Sequence, residues 1–234
     1  MMMGRMRTGL IVLACLVVTG VLASSIWTIA GNPAPVDLPR MLSENLERSG
    51  VEHPVTAVLL NFRSYDTLLE IGVLVIAGIA GISMAETTAR ADPNLRTGDT
   101  LLYALQRWFV PLMLVLAGYL LWAGADRPGG AFQAGAVLAA MGVLLRLGGT
   151  PMAFLRPGLL LRLGLITGFT VFLLVAVASA IAGEAFLAYP PALTRPLIVT
   201  IETTLTLSIA MVLLALFVSA PVNDAEDPDE GSPT

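Results

Sequence analysis

The sequence predicts an all-α integral membrane protein with about six transmembrane helices in two modules and both termini in the cytoplasm. The prediction rests on composition, on the length of the apolar segments and on where the arginines fall. Of the 234 residues, 56% are hydrophobic and only 13% are charged. A soluble domain of this length cannot bury so much apolar surface, whereas a bilayer covers it.

Six apolar segments are long enough to cross a bilayer, which takes about 20 helical residues. The first follows two arginines as a secretory signal does, but its apolar run continues past Trp27, which is typical of an interfacial anchor. We therefore expect it to be a retained span. The six predicted spans cover residues 9–30, 66–85, 103–123, 131–148, 158–182 and 193–219.

The arginines set the predicted orientation. With the N-terminus in the cytoplasm, eight of the 13 basic residues fall on the cytoplasmic side and five on the outer side. This distribution agrees with the positive-inside rule.

The connections suggest how the spans are grouped. Prolines and polar residues exclude a span in 31–65, and we expect the short apolar stretch VTAVLLNF to pack on the outer face or re-enter partway. The polar loop 86–100 separates the predicted modules. The first, 1–90, has two transmembrane helices and an outer polar loop; the second, 91–220, has four helices; residues 221–234 form an acidic disordered tail.

Asp66 and Glu70 open the second span one helical turn apart, and therefore on one face. Asp66 fits a helix N-cap, where a carboxylate accepts backbone N–H bonds. Glu70 lies a turn deeper, where charge is costly, so we expect it to be protonated, paired with Arg63 or hydrated. A desolvated carboxyl group can exchange protons near neutral pH, which a proton or sodium path requires.

Glu202 lies about nine residues into the last span, roughly 13 Å along the helix axis and close to mid-bilayer. A glutamate at that depth indicates a functional site. Glu202 could contribute to an ion path or to the coupling of ion movements. Alternatively, it could form a polar contact that joins two helices.

Pro128, Gly129 and Gly130 predict a tight turn that lets the next helix begin close to its neighbour. Phe132, Gln133 and Gly135 would then face the bundle, with small residues allowing close helix approach. A phosphate loop is not expected, because a membrane helix precedes the glycines and no Lys-Ser/Thr follows them.

Other function classes have little support. The single Cys15 allows no internal disulfide or cysteine metal site, and His53, in a polar loop, is expected to be a surface residue. The arginines are scattered, so we expect no nucleic-acid partner. We also expect no cofactor and no metal site.

Two stretches resemble one family. VTAVLLNFRSYDTLLEIGVLVIA is similar to the C-terminal part of the MrpA subunit of Mrp-type multisubunit Na+/H+ antiporters, and to the matching small subunit of membrane-bound hydrogenases. The stretch from Arg107 through PGGAFQAG is similar to the MrpB/MnhB subunit, with Ala131 in place of the third glycine of Pro-Gly-Gly-Gly-Phe. Glu202 falls where that family often carries an acid. The matching motif residues are Asn61, Phe62, Arg63, Asp66, Thr67, Leu68, Glu70, Pro128, Gly129, Gly130 and Phe132.

The resemblance implies a fusion of the two modules, which would act as a membrane subunit of a multisubunit Na+/H+ antiporter in a prokaryotic plasma membrane. Its partners would be other antiporter subunits and the lipid bilayer, and its cargo Na+ and/or H+. Asp66, Glu70 and Glu202 would contribute to the ion path. The supporting residues would be Arg63, Thr67, Pro128, Gly129, Gly130, Phe132 and Gln133.

Two alternatives remain open at the level of sequence. The chain could be a membrane-arm subunit of an energy-converting redox complex, such as a membrane-bound hydrogenase or a complex I-like assembly. It could also be a purely structural subunit whose acids only join helices. In none of these cases do we expect the chain itself to be an enzyme.

Overall fold

The structure is a computed structural model that describes residues 2–31, 37–85, 100–150, 152, 155, 158–182 and 186–219, with the backbone alone for 2–7, 85 and 100. These residues form helices and turns, and no strand occurs among them. The chain divides into two compact units, Met1–Glu44 and Asn45–Thr234. The predicted module boundary at 90/91 and the tail 221–234 lie outside the described residues.

The first unit contains one long helix, α1 (Met2–Gly31), and the short helix α2 (Leu38–Asn45), which ends at the division between the units. Most of the described side chains of α1 are apolar, and all of them are exposed, as suits a span in contact with lipid. On α2, Arg40 forms an ion pair with Glu44 one turn later, at 2.8 Å.

The second unit is a helical bundle preceded by a short, irregular helical segment. That segment contains a 3-10 turn (Leu46–Ser49), a four-residue helix and one turn of π-helix. In chain order, the elements after the 3-10 turn are α3 (Pro54–Ala57), the π-turn (Val58–Phe62), α4 (Ser64–Ala85), α5 (Thr100–Ala123), α6 (Ala131–Leu147), α7 (Leu159–Ile181) and α8 (Thr194–Ser219).

The all-α membrane fold is confirmed. Five helices in the described part are long and apolar enough to cross a membrane. The sixth predicted span is α6, which is apolar but shorter, at 17 residues. Each predicted span overlaps one helix and ends within a few residues of it, except that α1 begins earlier. The cytoplasmic location of both termini remains a prediction.

Helix α8 is the core of the second unit, and it packs against α4, α6 and α7. Each of these three helices presents a glycine to α8, which brings the helix backbones close together. A Cβ added to these glycines would lie 3.0 Å from Val212 Cγ1 at Gly78, 2.9 Å from Ile209 Cβ at Gly135 and 2.8 Å from Ser208 Cβ at Gly168.

The segment before α4 is helical but does not continue smoothly into it. Arg63, with φ −129° and ψ 32°, interrupts the helix between the π-turn and α4. Across the break, the Thr67 hydroxyl donates to the Leu59 carbonyl at 2.6 Å. Because this bond satisfies a carbonyl that the break frees, it fixes the segment against the first turns of α4.

Candidate functional site

A cavity of about 320 Å³ lies where α3, the π-turn, α4, α6 and α8 meet. It brings together seven residues that the sequence singles out: Thr67, Glu70, Gly129, Gly130, Phe132, Gln133 and Glu202. The volume is large enough to hold several water molecules. The remaining lining residues are Val55, Thr56, Leu59, Leu60, Ala131 and Leu205.

Glu202 forms the buried end of this cavity. It lies eight residues after Thr194, the first residue of α8, or about 12 Å along the helix. The residue is only 4% exposed, and its carboxylate accepts a hydrogen bond from the backbone N–H of Ala131. Ala131 is the first residue of α6, so the positive end of that helix faces the carboxylate.

The turn between α5 and α6 is shaped to admit that carboxylate. Gly130 has φ +111°, a backbone conformation that glycine adopts without strain, and its N–H donates to the Leu120 carbonyl at 2.9 Å. A Cβ on Gly130 would lie 2.8 Å from Glu202 Oε1, and one on Gly129 would clash with the Leu120 carbonyl oxygen. The predicted tight turn is therefore present. We call Gly124, Gly129 and Gly130 the glycine cradle.

The short length of α6 follows from this arrangement. At 1.5 Å per residue its 17 residues span about 25 Å, less than the roughly 30 Å of a hydrocarbon core. Its N-terminus lies at the level of Glu202, well past the start of α8. Non-helical backbone at membrane depth is tolerated where it lines a cavity, which is the position of this turn.

Glu70 lies six residues after Ser64, about 9 Å into α4, and lines the same cavity from an exposed position. In the described part of the chain it has no ion-pair partner. Of the three states predicted for Glu70, the pair with Arg63 is not formed, because Arg63 pairs with Asp66; the protonated and hydrated states stay predictions.

Asp66 is not the N-cap that the sequence suggested. It is the third residue of α4, and its side chain, 45% exposed, pairs with that of Arg63, 68% exposed. A carboxylate in the first turn of a helix still interacts favourably with the helix dipole. Asp66, Arg63 and Pro128 do not line the cavity.

Phe132 and Gln133 differ from their predicted orientation. Both are exposed at the rim of the cavity, whereas the prediction has them facing the bundle. Gly135 does face the bundle, against Ile209. Ala131 itself is buried, so the alanine in place of a third glycine fits at the start of α6.

Sequence reasoning missed the part of the site that comes from α3. Thr56, 5% exposed, lines the cavity and donates its hydroxyl proton to the Gly124 carbonyl at 2.5 Å. Pro54 at the first helical position, with Thr56, Leu59 and Leu60 at helical spacing, is the signal that could have identified this wall.

Further contacts join the same elements outside the cavity. The backbone N–H groups of Glu52 and His53 both donate to the Ala125 carbonyl, at 3.1 and 3.0 Å. Arg195 near the start of α8 pairs with Asp126 of the α5–α6 turn at 2.8 Å. The turn is therefore held from both sides.

Two carboxylates in one cavity can bind protons or small cations, and this is the chemistry the site offers. Among the described residues, no group of three or more His, Cys, Asp or Glu side chains could hold a metal ion. Glu202 is bonded by the backbone N–H of Ala131 beside the glycine cradle, whereas Glu70 is accessible from outside the chain.

Comparison with known proteins gives one family and several relatives. A family described as "Domain related to MnhB subunit of Na+/H+ antiporter" matches residues 101–222, more than half of the chain. A protein of Rhizobium meliloti (strain 1021), described as a probable K(+)/H(+) antiporter subunit (type A/B), is 28% identical over 192 residues. The match covers 70% of this chain but only 19% of that relative.

Two solved structures share the fold. A chain of the Mrp complex from Dietzia sp. DQ12-45-1b has a TM-score of 0.67 and 22% identity, with 95% of this chain and 27% of that chain covered. A chain of the membrane-bound sulfane sulfur reductase, described as an archaeal respiratory membrane complex, has a TM-score of 0.62 and 21% identity, with 89% and 96% covered.

These relatives and the apolar helices confirm a multi-pass protein of the prokaryotic plasma membrane. The matched region, 101–222, overlaps most of the predicted MrpB/MnhB-like module, 91–220, while the MrpA-like character of residues 1–90 remains a prediction. The chain belongs to the family of domains related to the MnhB subunit of Na+/H+ antiporters.

Proposed function

We propose that this chain is a membrane subunit of a multisubunit antiporter that exchanges a monovalent cation for protons, with Glu70 and Glu202 in its ion path. The observation that carries the proposal is that both glutamates, each well inside a span, line one cavity. The family description names Na+/H+ exchange and the Rhizobium relative is named for K+/H+ exchange. We therefore propose Na+ or K+ as the cation.

The proposed chemistry is competition for carboxylate oxygens. A proton and a monovalent cation both bind a carboxylate, and two negative charges in one cavity favour binding of at least one of them. At Glu202, the Ala131 N–H and the positive end of α6 support the ionised form, while burial opposes it. Glu70, on the exposed side, would receive ions entering the cavity.

Other antiporter subunits are the proposed partners, and Glu70 supports this. Its carboxylate is exposed about 9 Å into a span, and a charge facing lipid at a helix centre costs about 2.5–3.5 kcal/mol. A neighbouring subunit that covers the cavity mouth would remove that cost. We further propose that the chain holds no cofactor, carries out no enzymatic reaction and contributes only to transport.

The test is antiport by the assembled complex in everted vesicles, with Glu70→Gln and Glu202→Gln examined separately. We expect both variants to assemble and to lose cation-dependent proton release. Glu44→Gln, which removes an exposed acid paired with Arg40 on α2, is the matched control and should keep full activity. Full activity in both cavity variants, with intact assembly, would leave only a structural role for these acids.

A membrane-arm subunit of a redox-driven pump is the second candidate. It is favoured by the match that covers 96% of a chain from an archaeal respiratory complex. The same vesicles distinguish the two functions. Antiport driven by an imposed pH gradient alone supports the first, whereas ion movement that needs an electron donor and co-purifying redox subunits supports the second.

A further inference from the structure

His53, the only histidine of the chain, lies next to the cavity. It is the residue before α3, is only partly exposed, and its Nδ1 is 3.3 Å from Thr56 Oγ1. Thr56 in turn lines the cavity. The imidazole thus lies at the end of the bundle where α4 and α8 begin. Through Thr56, it connects that end to the interior of the site.

The hydrogen bonds determine which ring nitrogen carries the proton. Thr56 donates its single hydroxyl proton to the Gly124 carbonyl, so toward His53 its oxygen can only accept. Nδ1 must therefore be the donor, and in the neutral ring Nε2 is unprotonated and free to bind a proton. The geometry selects one tautomer, with its basic nitrogen directed away from Thr56.

Gly124 completes the connection to the buried glutamate. A Cβ on Gly124 would lie 3.0 Å from Glu202 Oε1, so the backbone that accepts the Thr56 hydroxyl proton is also part of the glycine cradle. Thr56 and Glu202 therefore line the same cavity, and His53 contacts Thr56 from outside its lining.

We propose that His53 is the proton-exchange group of this cavity, with Thr56 as its relay; the proposal rests on the antiport function above. Nε2 binds a proton from the aqueous phase, and Nδ1 gives its proton to Thr56 Oγ1. Thr56, turning from Gly124, gives its own proton to water in the cavity and thence to Glu202. One proton enters at Nε2 and one leaves from Nδ1. The ring is then left protonated on Nε2, and it returns to the first tautomer by releasing that proton to water and taking another from water at Nδ1.

Several charged groups lie close to His53. Glu52 precedes it in the chain. Asp126 and Arg127 follow Ala125, whose carbonyl accepts the His53 backbone N–H. From α8, Arg195 pairs with Asp126 and offsets its charge. The test therefore compares variants of His53 itself and leaves these groups unchanged.

The experiment measures antiport by the whole complex in everted vesicles between about pH 5 and 8, the range in which histidine changes charge. His53→Asn keeps hydrogen-bonding capacity without titrating, and we expect it to lose the pH dependence of the rate in that range. His53→Ala should regain rate when imidazole is added, a response that a merely structural histidine would not give.

Variants of Thr56 provide a second test of the relay. Thr56→Val keeps the shape but removes the hydroxyl, and we expect the same loss of pH dependence; Thr56→Ser, which restores a hydroxyl, should recover it. This pair keeps the test decisive if a His53 variant fails to assemble.

The possible outcomes are distinct. A wild-type pH profile in His53→Asn, or in Thr56→Val, overturns the relay. If Glu202→Gln is inactive while those profiles are unchanged, the antiport function stands and the relay is wrong. If Glu70→Gln and Glu202→Gln are fully active as well, both proposals fail together.

Discussion

The cavity wall formed by α6 and α8 and the wall formed by α3 and α4 each present a glutamate, but they hold it differently. Glu202 is almost fully buried, contacts a backbone N–H and faces glycines that leave no room for a Cβ. Glu70 is exposed and has no ion pair in the described part of the chain. The first wall is thus preorganised by the fold, whereas the second leaves its glutamate accessible from outside the chain.

The largest effect is expected from Gly130→Ala. The new Cβ would meet Glu202 Oε1 at 2.8 Å, in a backbone with φ +111°. We expect a loss of about 2–4 kcal/mol in the free energy of unfolding, measured by denaturation in detergent. Gly118→Ala in α5, where a Cβ meets nothing within 4 Å, is the control and should be neutral or stabilising. If Gly130→Ala and Gly118→Ala changed the free energy of unfolding equally, the wall formed by α6 and α8 would not be rigid.

Replacement of Glu202 tests the contact within that wall. Glutamine can still accept the Ala131 N–H, but leucine cannot, and a buried unpaired N–H costs about 1–3 kcal/mol. We therefore expect Glu202→Leu to be less stable than Glu202→Gln by about that amount in the same unfolding assay. Equal stability of the two variants would mean that the Ala131 contact contributes nothing.

On the opposite wall, Thr67→Val removes the hydroxyl that bonds the Leu59 carbonyl across the break before α4. The expected loss is about 1 kcal/mol. Thr203→Val is the matched control, because the exposed Thr203 bonds only to its own helix at Val199; its effect should stay within about 0.5 kcal/mol. A comparable loss from Thr203→Val would show that the assay reports helix propensity and not the break.

The smallest change in stability is expected from Glu70→Gln. Because the Glu70 side chain is exposed and has no ion pair in the described residues, its replacement should change the free energy of unfolding by no more than about 0.5 kcal/mol. The same variant should nonetheless lose antiport. A large loss of stability would mean that Glu70 is held as firmly as Glu202, which would erase the difference between the walls.

Much of the fold was predictable because hydrophobic length is a local property. The predicted spans match α4, α5, α6, α7 and α8 within a few residues. Glu70 and Glu202 could be selected for the same reason, since a charge within an apolar run is visible in sequence. Pro128, Gly129 and Gly130 likewise indicated a turn.

What the turn contacts was not predictable. Ala131 and Glu202 lie 71 positions apart, and no local pattern shows that the N–H of one meets the carboxylate of the other. The sequence also suggested Asp66 as an N-cap, whereas the helix begins two residues earlier, at Ser64. Arg63 pairs with Asp66 and not with Glu70, and this pairing depends on the residue at which α4 begins.

The depth at which α6 begins has an electrical consequence. A charge that moves across the whole membrane potential changes in energy by about 2.3 kcal/mol per 100 mV. Glu202 lies about 12 Å beyond the first residue of α8, so a proton that binds there has crossed part of that potential drop. Occupancy of the buried carboxylate should therefore respond to voltage as well as to proton concentration.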